Sequence, residues 1–273
     1  LNEGNQGHFD LKPEFGLSLF KMKRAFLFLT TLYTLIWGRT SFAQTNPNEY
    51  VEEKPVLMKN EATGGLNFHT GGWGIQFRRS LNRTVKKKQM FEADFVGMKH
   101  PKEVKSVNQA FDRARSFVYG KENGLSILRA GTGQQRVIYS KSERTGVEVR
   151  FLYSGGLSLG ILKPVYLNIL KPTGNFGEFE LVVEKYDPEV HYIDDIYGRA
   201  PFTEGFGEIG FRPGAYARIG FNFEYAPIFD DVKALEVGAI IDAYPQEIPI
   251  MALTENNRFF LSFYITIMYG RKW

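Results

Sequence analysis

Ala215-Tyr216-Ala217-Arg218-Ile219-Gly220-Phe221-Asn222-Phe223-Glu224-Tyr225 is the stretch that decides the fold. Its odd positions are all apolar, and its even positions are mostly polar or charged. A strand sends successive side chains to opposite faces, so one side here is greasy and the other carries ions. Residues 259–269 repeat the pattern, with Phe259, Leu261, Phe263, Ile265, Ile267 and Tyr269 on one face. Each segment has about the length a tilted strand needs to cross a bilayer, roughly 9–11 residues. The expected fold is all-β: an antiparallel up-and-down transmembrane barrel.

The composition agrees. Phe and Tyr number 24 and 14, and mean hydropathy is negative, so greasy residues are spread among polar ones instead of collected in long runs. Beyond the N-terminal region no apolar run would make a membrane helix, which leaves strands to do any crossing. The net charge of +4 is interspersed with acidic residues, and no nucleic-acid partner is expected. With no Cys, disulfides, thiol catalysis and Cys-ligated zinc are excluded.

Met22-Lys23-Arg24 opens a positive segment, residues 25–37 are apolar, and Ser41-Phe42-Ala43 before Gln44 has the small-x-small form of a signal-peptidase site. The expected organisation is an upstream extension over 1–21, a cleaved signal peptide over 22–43, a flexible periplasmic lead-in over 44–63 and the barrel over 64–273. Strands are expected near 65–79, 89–98, 125–132, 146–153, 157–169, 215–225, 234–244 and 259–269. The phase slip at Gly71-Gly72 is read as a bulge inside the first strand. Ser154-Gly155-Gly156 is read as a tight turn. Residues 171–213 form a long acidic outer loop. Counted from a periplasmic N-terminus, the 99–123 connection falls on the periplasmic side, where such connections are usually short. Arg129 sits on the apolar phase of its strand. Both are misfits.

Alternation alone does not say which face looks outward, and a soluble lipocalin-like barrel carrying an apolar ligand would invert it. Aromatic residues at strand ends, Trp73, Tyr153, Tyr225 and Tyr269, suit interfacial girdles and place the greasy face in lipid. The other face then forms a lumen network of Arg78, Glu92, Asp94, Glu148, Arg150, Arg218, Glu224, Glu236 and Asp242. An eight-stranded barrel is just wide enough to be filled by side chains, which argues against a pore.

The closing strand and terminal Trp273, the export signal ending in Ala-Gln, and the Leu66-Asn67-Phe68-His69-Thr70-Gly71-Gly72-Trp73-Gly74 opening resemble the small outer-membrane barrels of Gram-negative bacteria, most of all those of Bacteroidota. These include PorT-like barrels and others of OmpA or OmpX size. The resemblance implies the fold and an outer-membrane location, and no specific function.

For chemistry, the histidines are His8, His69, His100 and His191. An outer-leaflet lipid-modifying enzyme would need one of them beside a nucleophile and an orienting group. No catalytic spacing supports that, and rim or loop hydrogen bonding is the expected role. The acidic loop lacks EF-hand spacing for Ca²⁺. No Walker, dinucleotide or metal motif occurs, and no cofactor is expected. Arg83, Lys86, Lys87 and Lys88 are candidates for lipopolysaccharide phosphates. Tyr186, Tyr192, Tyr197, Phe202 and Phe206 are aromatic types enriched at binding hot spots, and mark the long loop as a partner surface. The function expected is that of a non-catalytic accessory or scaffold subunit of an envelope complex.

Overall fold

The computed structural model describes residues 60–273 apart from 85, 110, 112–113, 141–145, 174–178, 226–230 and 253. The extension, signal peptide and most of the lead-in expected over 1–63 lie outside these residues. In chain order the strands are β1 (Asn60–His69), β2 (Gly72–Thr84), β3 (Lys87–Met98), β4 (Lys105–Ser106), β5 (Phe117–Val118), β6 (Asn123–Tyr139), β7 (Glu148–Pro164), β8 (Tyr166–Pro172), β9 (Phe179–Lys185), β10 (Ile196–Arg199), β11 (Gly210–Glu224), β12 (Asp231–Ala243) and β13 (Phe259–Lys272). Eight of them close into an antiparallel barrel in the order β1-β13-β12-β11-β7-β6-β3-β2, with β1 also pairing β2. Closure leaves no unpaired sheet edge in the wall.

The count of eight stands, although two boundaries move. The slip at Gly71-Gly72 is a chain reversal. β1 and β2 form a hairpin in which Leu66 faces Ile75 and Phe68 faces Trp73. Reversing the chain swaps odd for even on a given face, which imitates the shift a bulge makes. Ser154-Gly155-Gly156, in contrast, is the middle of the 17-residue β7, paired to Gly131 and Thr132 on one side and to Tyr216 and Ala217 on the other. Glycine is needed there for close approach. A Cβ on Gly156 would lie 2.2 Å from the Ala130 carbonyl oxygen, and one on Gly131 would lie 2.5 Å from the Tyr216 hydroxyl. β6 and β7 therefore press together beneath the Tyr216 ring. The barrel also starts earlier than residue 64, at Asn60, whose amide and carbonyl both bond Trp273.

These changes reverse the ends expected between the first hairpin and β7, while the 171–213 and 245–257 connections keep the end expected for them. The connections over 99–122, 165–209 and 244–258 all lie at one end, hereafter the loop end, with the tight turn at 70–71. β1 begins and β13 ends at the other, where β2 passes to β3, β6 to β7 and β11 to β12. The 99–123 misfit disappears, because that connection joins the long ones. The expected loop over 171–213 is folded: β8, β9 and β10 make a three-stranded sheet in the order β10-β8-β9, and β4 pairs β5.

Outward positions are greasy. Phe68, Trp73, Phe77, Phe91, Phe95, Leu157, Ile219, Phe221, Phe263 and Ile265 are each more than two-fifths exposed. Trp73 stands near the loop end, while Tyr225 and Tyr269 stand near the terminus end, so aromatics mark both rims. β6 corrects the sequence reading. Its even residues, such as Leu128, face outward, and Leu125, Ile127 and Arg129 face in. Arg129 is thus no misfit in a lipid-facing row. It belongs to the interior.

Candidate functional site

The interior is ionic in its middle. Arg78, Arg129, Arg150 and Arg218 are each about 1% exposed. An unpaired guanidinium at that depth would be untenable, and each is met by carboxylates contributed from other strands. Arg78 donates to Glu236 at 2.5 and 2.9 Å and to Glu92 at 3.0 Å. Arg218 bonds Glu92 at 2.9 Å and also Asp94. Tyr216 and Ser154 hydroxyls donate to Glu92, and Tyr264 and Asn222 donate to Glu236. Arg129 grips Asp242 through two bonds of 2.8 and 2.7 Å. Nearer the termini Arg150 bonds Glu148 at 2.5 Å and also Glu224, with Glu61 at 3.4 Å. The structure therefore brings the nine sequence-predicted lumen residues into one interior, with Glu148 at its rim.

Sequence reasoning missed four members: Glu61, Lys88, Arg129 and Lys272. Lys88 corrects an expectation. It is buried and donates to Glu61 at 2.6 Å, so it contacts no lipopolysaccharide phosphate. Its signal was available: Lys88 shares the phase of Glu92 and Asp94. Arg83, Lys86 and Lys87 are exposed, but at the terminus end, around the β2–β3 turn. The expectation of an outer-leaflet basic turn followed from reading β1 and β2 as one strand.

At the loop end the lumen is closed by apolar packing. Val96, Met98, Leu125, Ile127 and Leu162 point inward from the wall and meet Ile248 and Ile250, fully buried residues of the 244–258 connection. Asn256 locks this inward fold: its Oδ1 accepts from the Ile250 and Met251 amides at 3.0 and 3.3 Å, and its Nδ2 donates to the Met251 carbonyl at 3.1 Å. Replacing Asn256 by Ala orphans these backbone groups, at about 1–3 kcal/mol for each buried one. Faster amide exchange at Ile250 and Met251 is the expected result, together with faster proteolytic nicking over 245–257 and unchanged barrel migration in gels.

Above the plug the two remaining connections build a cap with its own core of Phe117, Leu167, Ile169, Tyr186 and Ile196. Tyr186 is thus buried, which removes it from the expected partner surface. Tyr197 packs on Phe111 at 5.1 Å, and Tyr192, Phe202 and Phe206 are exposed. Phe202 and Phe206 meet edge-on at 5.3 Å, with Lys163 Nζ 4.4 and 4.9 Å from their centroids. A groove of about 860 Å³ runs between the 99–122 connection and the segment from Lys163 to Glu204. In the cap Lys171 donates to Glu184 at 2.5 Å and holds its carboxyl below the usual range, with help from His191.

The described histidines act as local turn caps. Nδ1 of His69, His100 and His191 accepts from the amides of Gly71, Lys102 and Asp187 at 3.2, 3.2 and 3.0 Å. His69 and His100 lie at the loop end and not, as their expected strand directions implied, at the opposite end. Among the described residues no group of histidine and carboxylate side chains has the geometry of a metal site.

No protein-family model matches the chain, and no curated protein matches it. Among solved structures it is similar to Ail, the attachment invasion locus protein of Yersinia pestis, at 7% identity and a TM-score of 0.37, over 79% of this chain and 99% of that one. Ail in complex with the heparin analogue sucrose octasulfate matches over the same shares at 7% identity and 0.36. Neisserial surface protein A matches at 7% identity and 0.38, over 79% and 97%. The barrel assignment rests on the closed strand pairing itself.

Proposed function

We propose that this chain is a non-catalytic outer-membrane β-barrel of the Bacteroidota type, acting as an accessory or scaffold subunit of an envelope complex for secretion, barrel assembly or uptake. The observation that carries this reading is the filled interior: ion-paired layers in the middle and an apolar plug at the loop end. Such a lumen offers no path for a solute, and the elaborated surface is the cap. The greasy belt with aromatics at both rims supports a bilayer around the wall, and an even strand number with the termini at the short-turn end supports a cap facing the cell exterior. Lipid and lipopolysaccharide surround the wall; the protein partner sits on the cap. The described histidines each accept from a backbone amide through Nδ1, which supports a structural role for them.

The cap also presents a recognisable docking edge. β9 pairs β8 on one side, no described strand covers its other side, and Phe179, Leu181 and Val183 are exposed along it. Open edges with a greasy face accept an added strand from another chain. Purification of the tagged barrel from membranes solubilised in mild detergent is expected to recover a second envelope protein. Leu181→Glu with Val183→Glu is expected to cut that recovery roughly tenfold or more, the loss of a central binding residue. Recovery of the barrel by itself in several mild detergents sinks the proposal.

A further inference from the structure

The cap groove has a character the accessory role does not use. Lys99, Lys105, Arg115, Lys163 and Arg199 all line it, contributed by the ends of β3 and β7 and by both cap connections. Lys121, also lining it, is neutralised by Glu103 at 2.7 Å. Among the described residues no carboxylate is ion-paired with any of the other five. Inside the barrel the cations are matched. The four fully buried guanidinia each have carboxylates, and in the cap Lys171 and Lys185 pair with Glu184 and Glu208. Glu103 and Glu204, the latter acting on Lys163, are the carboxylates among the lining residues, and six cations against these two give the cavity an excess of positive charge. Holding like charges around a concavity is unfavourable in the free protein and favourable when an anion enters.

The mouth carries a second signature. Phe202 is 78% exposed, yet it is fixed by the edge-on contact with Phe206 and by Lys163 Nζ above its ring. A held, open aromatic face beside a cluster of cations offers a flat apolar platform next to anion-binding donors. The cavity volume falls within the roughly 300–1,000 Å³ of sites for small ligands, and so fits one or two rings better than an extended chain.

We infer that this groove binds an anionic sugar, a saccharide ring bearing phosphate or sulfate. Lys163 and Arg199 contact the anionic group, and Phe202 stacks on the apolar face of the ring. Arginine supplies a planar two-pronged donor and lysine a point charge, a combination suited to oxyanions. The basic site facing lipopolysaccharide or other anionic glycans is then in the cap, and not at the Arg83–Lys87 turn. The inference uses the outward-facing cap but not the accessory role. A barrel that binds sugar and recovers no protein partner leaves it standing.

The test uses the refolded barrel in detergent micelles and fluorescence titration with a short labelled dextran sulfate. Lys163→Ala with Arg199→Ala is expected to weaken binding roughly tenfold or more, since a charged hydrogen bond contributes about a factor of ten. Phe202→Ala is expected to weaken it severalfold. Arg83→Ala, Lys86→Ala and Lys87→Ala together are expected to change nothing. Affinity should fall steeply with salt. Lipopolysaccharide before and after phosphatase treatment separates the sources: competition lost on dephosphorylation assigns the membrane's own sugar phosphates, and absence of competition beside dextran sulfate binding assigns a soluble glycan. Equal binding of neutral dextran overturns the inference. So does binding of poly-glutamate with equal affinity and no dependence on Phe202, which would make the groove a docking site for acidic protein. All variants lie outside the barrel interior, and unchanged heat-dependent gel migration confirms folding.

Discussion

Arg129→Met is expected to lower the unfolding free energy of the barrel in micelles by about 3–5 kcal/mol, the cost of removing one member of a buried ion pair. The mutation is close to volume-conserving, so packing loss is small. What it leaves behind is Asp242, fully buried and deprived of both its bonds from the guanidinium. Arg129→Met with Asp242→Asn removes the orphaned charge, and is expected to recover most of the loss. Denaturant midpoints read by tryptophan fluorescence measure both. A single mutant within about 1 kcal/mol of the parent would mean that water reaches the layer and screens it, as at exposed pairs. The filled interior, and with it the argument against a conducting lumen, would then be lost.

Ile265→Arg tests the other face. Ile265 lies mid-way along β13, opposite Phe68 and Val237, in the middle of the outward greasy belt. A cation at the bilayer midplane of a membrane barrel costs about 2–4 kcal/mol, falling towards the interfaces. Folding yield into lipid vesicles and stability there should drop accordingly. Val190→Arg, at an exposed position of the cap, is the control and should shift stability by no more than about 0.5 kcal/mol. A soluble barrel would give the opposite ranking for Ile265→Arg, since charging a water-facing greasy site improves solubility without touching the core. Recovery of the wild-type chain without detergent would point the same way.

Period-two alternation carried most of the fold. In β11, β12 and β13 every second residue faces outward, and the strands inferred from pattern overlap those formed, although β11 begins at Gly210, β12 at Asp231 and β13 runs on to Lys272. Arg78, Glu92, Arg218 and Glu236 were legible as interior residues because each sits out of phase with a greasy row. Glycines were the weak point, because their side chains carry no phase. A pair at 71–72 ends one strand and starts the next, while a pair at 155–156 runs straight through a wall. The difference is what lies opposite: at 155–156 the neighbouring backbone and the Tyr216 ring demand the missing Cβ.

Local alternation in this chain therefore determines a closed antiparallel barrel with an ionic inside and a greasy outside, because each strand's facing depends only on its own residues. Three things needed the whole structure. The end at which a connection emerges depends on every reversal before it, so one misread hairpin inverted the placement of Arg83–Lys87 and of His69 and His100. The partners of Arg129 and Lys88 come from strands far away in sequence. The plug and the cap groove are made by connections without alternation, whose shape is set by what they pack against.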